Sequence, residues 1–88
     1  MKLPQILDFA AATPLRQELA NLRGEPLELD GSSVERLGGL CLQVLLSAQA
    51  TWAADGQAFR IVGPSTAFVD AVRLMAAARY LIPQESTS

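Results

Sequence analysis

The first residues that could do chemistry are the glycine pair 38–39, which stands at the mouth of a long apolar segment. A glycine pair opening a helix can leave backbone N–H groups free for an anion. The pattern is neither G-x-G-x-x-G nor a Walker A loop, since no lysine follows the pair. Close packing of loop against helix is the plainer account of Gly38 and Gly39. Ser32 and Ser33 follow a short strand-like run and would need a base to act as nucleophiles. The chain has no histidine to serve as one. A kinase could modify either serine, and a plain turn explains both. Glu25, Glu28, Asp30 and Glu35 lie close in sequence, as solvated loop and strand positions commonly do, and nothing in their spacing specifies a metal or an acid–base pair. Cys41 is the only cysteine and sits among apolar residues, which describes a small buried hydrophobe better than a reactive thiol. One cysteine and no histidine rule out zinc sites and histidine-based triads. The expectation is a non-enzyme with no cofactor and no metal.

Composition points the same way. The chain has 88 residues, enough for one domain and one core. Half of the residues are hydrophobic (50%) and only 18% are charged, so an interior can form and disorder is disfavoured. The net charge is -2, and the seven basic residues are scattered from Lys2 to Arg79. No basic stripe is present of the kind that nucleic acid requires. A disulfide within the chain is impossible, and the N-terminus does not read as a signal peptide. The longest apolar stretch, Leu40 to Leu46, contains Gln43 and is too short to span a bilayer. These features place the protein in the cytoplasm.

The elements that would position these residues follow from periodicity. Leu3 to Leu7 is apolar but contains Pro4, which suits an edge strand. Thr13-Pro14 reads as a helix start, with Leu15, Leu19 and Leu22 as its inner stripe and Gly24 as its stop. Pro26 to Asp30 alternates as a strand and leaves through Gly31-Ser32-Ser33. A second helix runs from Gly38 or Gly39 to about Ala54. Cys41, Leu45, Ala48 and Trp52 form its buried stripe, broadened by Leu42, Leu46 and Ala53. Its opposite side carries Gln43, Ser47, Ala50, Thr51 and Ala54, all small or mildly polar. Trp52 reads as core, although a tryptophan can also anchor an interface. Ala58 to Val62 is a further strand, and a parallel neighbour relation would put Glu28 and Arg60 together on the face away from the helices. Gly63-Pro64 breaks it. Ser65 or Thr66 then caps a third helix with Phe68, Val72 and Met75 inside and Asp70, Arg73 and Ala77 outside. Residues 1–82 form a single domain and 83–88 a short polar tail.

The alternation of strand and helix calls for right-handed crossovers and a parallel sheet. At this point the residues resemble a known family. Leu27-Glu28-Leu29-Asp30, a loop, and then Leu37-Gly38-Gly39-Leu40 opening a long helix are similar to the centre of STAS domains, the anti-sigma factor antagonist-like modules. Asp55-Gly56-Gln57 leading into Phe59-Arg60-Ile61-Val62 and Pro64-Ser65 resembles the second half, so the likeness covers roughly residues 10 to 80. The N-terminal strand or hairpin usual in the family is shortened here. The flavour is that of short bacterial forms encoded with chemotaxis genes or with lipid-transport ATPases. The implied fold is α/β and STAS-like, a small mainly parallel or mixed sheet with about three helices mostly on one face.

The resemblance also implies a site. Family members typically read Asp-Ser-Ser-Gly-Leu or Asp-Thr-Ala-Gly-Leu before the long helix, and a Ser or Thr there is phosphorylated or engages the partner. Here Arg36-Leu37-Gly38 stands in those places, so no hydroxyl is available, and Ser32 and Ser33 lie too early to be equivalents. Phosphorylation would have added nearly two negative charges at a helix N-terminus. The implied partner-binding residues are Arg36, Leu37, Gly38, Gly39, Gln43, Ser47, Ala50 and Ala54. Arg36 would donate to the partner and Leu37 would offer an apolar knob, while the small face lets another protein come close. The expected partner is a signalling kinase of the chemotaxis or anti-sigma type, engaged without phosphorylation. A lipid-transport ABC ATPase is the alternative, and a homodimer would use the same face. A small-ligand or nucleotide-binding domain is a third reading.

Overall fold

The computed structural model describes residues 1–75. The strands are β1 (Ile6–Leu7), β2 (Leu27–Asp30), β3 (Arg36–Leu37) and β4 (Phe59–Val62). The α-helices are α1 (Ala12–Asn21) and α2 (Gly39–Ala54), followed by a third, α3, whose described part is residues 66–75. All strand pairings among the described residues are parallel: β2 with β4, β1 with β3, and an isolated bridge from Lys2 to Asp30. The N-terminal segment therefore runs along β2 with its first residues and along β3 with the next. Leu3 N–H donates to the Asp30 carbonyl (2.9 Å), and Glu35 and Arg36 N–H groups both donate to the Gln5 carbonyl (2.7 and 3.1 Å). Pro4 falls in the gap between the two stretches, where no ladder bond is needed. The edge strand expected over Leu3 to Leu7 is thus narrowed to β1 plus a bridge.

The strands are half-buried, as their alternation requires. Leu27 and Leu29 point into the core and Glu28 points out; Arg60 is its register partner and is also exposed. That register is the one the sequence suggested, yet the ion pair among the described residues is Arg23–Asp55. One core gathers Leu3 and Leu7 from the N-terminal segment, Leu15 and Leu19 from α1, and Leu29, Val34 and Leu37 from the strands and their connecting loop. Cys41, Leu45, Ala48 and Trp52 of α2 and Phe68 of α3 complete it. Burying aliphatic and aromatic side chains of this size contributes about 1.5–3 kcal/mol each. Trp52 lies against Phe59 with ring centroids 5.6 Å apart in a tilted arrangement, and its indole N–H donates to the Glu25 carbonyl at 2.8 Å. It is core.

One helix start differs from the sequence reading. The chain enters α1 through a 3-10 turn, Phe9–Ala11, capped by Asp8, whose carboxylate accepts the Ala11 N–H at 3.2 Å. Thr13 is therefore not the cap. Pro14 sits inside the first turn of α1, where a missing N–H still costs nothing. Leu22 is the C-cap of α1 and half-open to solvent, so its inner stripe is Ala12, Leu15 and Leu19. Gly24 follows with a φ of 101°, a conformation that only glycine takes without strain. For α3 the expectation holds: Ser65 Oγ accepts the Phe68 N–H at 3.0 Å and donates to the Val34 carbonyl, tying the helix start to the loop after β2. Ala77 and the tail at 83–88 lie outside the described residues.

Candidate protein-docking site

The predicted small face of α2 is real and open. Gly39, Gln43, Ser47, Ala50 and Ala54 are all exposed and follow one another at helical spacing along the side opposite Cys41, Leu45, Ala48 and Trp52. Thr51, assigned to the same side by its small polar nature, is instead half-buried toward α1. The side chains on this face project little, so another backbone can approach without immobilising long rotamers.

At the mouth of α2 the structure separates three neighbouring residues. The two-residue strand β3 turns Arg36 outward and Leu37 inward, because side chains alternate across a strand. Leu37 is only 7% exposed and pairs in register with fully buried Leu7. It is a core residue, which corrects the expectation of an apolar knob at the surface. Gly38 is the N-cap of α2, with extended backbone (φ −88°, ψ 164°) and no side chain to cap the helix. Its N–H is already committed to the Leu7 carbonyl at 2.8 Å. The anion reading thus loses the Gly38 amide to the fold.

Ser32 and Ser33 are placed elsewhere. Ser32 N–H donates to the Asp30 carboxylate at 2.9 Å, forming a turn in which Ser32 is exposed and Ser33 half-buried. Hydrogen bonds from the side chain and then the backbone of Ser32 hold the Asp30 carboxyl below its ordinary range. A phosphate on Ser32 would face that carboxylate. Cys41 is buried and donates to the Asp8 carbonyl at 3.2 Å; burial, helped by the Asp8 charge, pushes its thiol up. Among the described residues no group of three or more His, Cys, Asp or Glu side chains could hold a metal ion. No helix there is long and apolar enough to cross a membrane.

Both flanks of α2 are grooved. Toward α1 a cleft of about 420 Å³ runs between the helices, with Leu40, Val44 and Ser47 on one wall and Arg16, Ala20 and Arg23 on the other. Toward β4 and α3 a second cleft of about 300 Å³ is lined by Leu42, Leu46, Phe59, Ile61, Phe68 and Val72. Arg23 closes one end of the first cleft. Its Nε and one terminal nitrogen donate to Asp55 at 2.8 and 3.1 Å, a two-pronged pair joining the ends of α1 and α2. That hydrogen bonding, with the charge of Arg23 behind it, draws the Asp55 carboxyl below its ordinary value. Sequence reasoning missed Arg16, Arg23 and Asp55 because their relation is set by how two helices cross. The only signal was the i, i+7 spacing of Arg16 and Arg23.

Neither the curated proteins nor the solved structures yield a match to the chain. The family model described as "Mlab, STAS domain" matches residues 1–83. The parallel strand pairs and the long α2 opening at Gly39 accord with that match, and the chain belongs to the STAS domain family.

Proposed function

We propose that this STAS domain is a non-enzymatic adaptor that docks a cytoplasmic signalling partner on the outer face of α2, without a phosphorylation switch at its mouth. The partner is a histidine kinase of the chemotaxis class or an anti-sigma kinase. The single observation that carries the reading is the contrast at the start of α2. An open face of small residues (Gln43, Ser47, Ala50, Ala54) follows a mouth in which Leu37 has joined the core and Gly38 offers no hydroxyl. Arg36 remains outside and supplies a forked donor beside that face. A buried, reduced cysteine suits the cytoplasm.

The test uses the purified chain with two purified proteins of the same genome, the chemotaxis-type histidine kinase and the lipid-transport ABC ATPase. Binding of the kinase, abolished by Ala50→Arg while the far-UV spectrum and melting are unchanged, supports the reading. Binding of the ATPase alone transfers the face to the alternative partner. If Ala50→Arg binds like wild type, the face is wrong.

A further inference from the structure

We propose that the cleft between α1 and α2 seats an amphipathic helix of the partner whose carboxylates meet Arg16 and Arg23. This rests on the docking reading above and names the chemistry of what docks. The floor of the cleft is apolar, with Leu40, Val44 and Ala20 in its walls, and among the described residues its only charged lining residues are the two arginines. Arg16 has no acidic partner within ion-pair distance among the described residues. Arg23 is fixed in place by Asp55, which engages Nε and one hydrogen of a terminal nitrogen. A guanidinium carries five N–H donors, so three remain for a second acceptor. Arg16 lies within α1 and Arg23 in the turn two residues beyond its last residue, Asn21, and both line the same cleft. A partner helix lying in the cleft carries acidic side chains at positions i and i+7 on one face, and the residues at i+3 and i+4 on that face then meet the apolar floor. A net-acidic chain with a locally basic, apolar cleft selects such a segment over a basic one by charge complementarity. The opposite cleft, beside β4 and α3, has no charged residue in its lining among the described residues.

The experiment is a titration of the isotope-labelled full chain with two synthetic helix-favouring peptides, followed by amide chemical shifts. One peptide carries Glu at i and i+7 with Leu at i+3 and i+4; the other has Lys at both charged positions. The expected result is movement of the amides of Ala20, Val44, Ser47 and Thr51 with the Glu peptide only. Arg16→Glu should weaken that peptide's binding about fivefold, the scale of one exposed ion pair, and let the Lys peptide bind. Equal shifts with both peptides, shifts confined to Phe59 and Phe68, or none at millimolar peptide would overturn the proposal. If the kinase still binds and Ala50→Arg still abolishes it, a silent peptide titration overturns this inference alone. If neither the kinase nor the ATPase binds, the docking reading falls with it.

Discussion

Leu37→Thr tests why the usual phosphorylation position is empty. The substitution returns a hydroxyl to the mouth of α2 at a residue that is 7% exposed and paired with Leu7, itself fully buried. Truncating a buried leucine to alanine costs about 2–5 kcal/mol through lost transfer free energy and the cavity left behind. Threonine retains a methyl group, which recovers part of that, but its hydroxyl is buried without a partner and costs about 1–3 kcal/mol. The net loss is therefore about 3 kcal/mol, from a total that for small domains is about 5–15 kcal/mol. The assay is urea unfolding followed by Trp52 fluorescence. With a slope near 1 kcal/mol per molar, the midpoint should fall by about 3 M, or the melting temperature by about 12–24 °C. Arg36→Asp, at the exposed neighbour, should change stability by less than about 0.5 kcal/mol. If Leu37→Thr costs no more than Arg36→Asp, Leu37 is not a core residue and the structural reason for the missing switch is wrong.

Gly38→Ser should behave in the opposite way. The backbone there is already extended, an added Cβ would meet the Leu7 carbonyl at 3.4 Å, and serine is a preferred N-cap. Its stability should stay within about 0.5 kcal/mol of wild type, and incubation with the kinase and ATP should label it where wild type stays unlabelled at residues 36 to 38. The Arg23–Asp55 pair should give the stability curve an acid limb. The Asp55 carboxyl is depressed in the folded state, so its contribution is present above the unfolded value of about 3.9 and lost as pH falls through the lower folded value. Arg23→Ala should flatten that limb, and urea midpoints of the two proteins should converge in strong acid; a constant gap across pH would refute it. Cys41 should react with a disulfide reagent about a hundredfold more slowly in the native protein than in urea, because the thiol is reached only through opening of the core. Equal rates would show the residue to be accessible.

Much of this molecule follows from local pattern alone. The i, i+4, i+7 repeat of Cys41, Leu45, Ala48 and Trp52 defines the inner side of α2, and the complementary residues Gln43, Ser47, Ala50 and Ala54 define its open side. A helix period admits only one such division. The alternation of Leu27-Glu28-Leu29 and Phe59-Arg60-Ile61 likewise implies the strands and the outward face shared by Glu28 and Arg60, while the register that pairs the two is set by the sheet. The Ser65 cap is legible from a hydroxyl residue placed three before Phe68. What the tertiary structure decided is the fate of residues whose neighbours are distant in sequence. Two residues are too short a run to show alternation, so β3 and the burial of Leu37 depend on β1 lying beside it. Thr13 is not a cap because the chain turns earlier into a 3-10 segment capped by Asp8, which leaves Ala11 as the N-cap of α1. The α1–α2 cleft, with Arg16 and Arg23 on its rim, exists only through the crossing of two helices. Side-chain periodicity is a property of one element, whereas pairing, clefts and ion pairs belong to two.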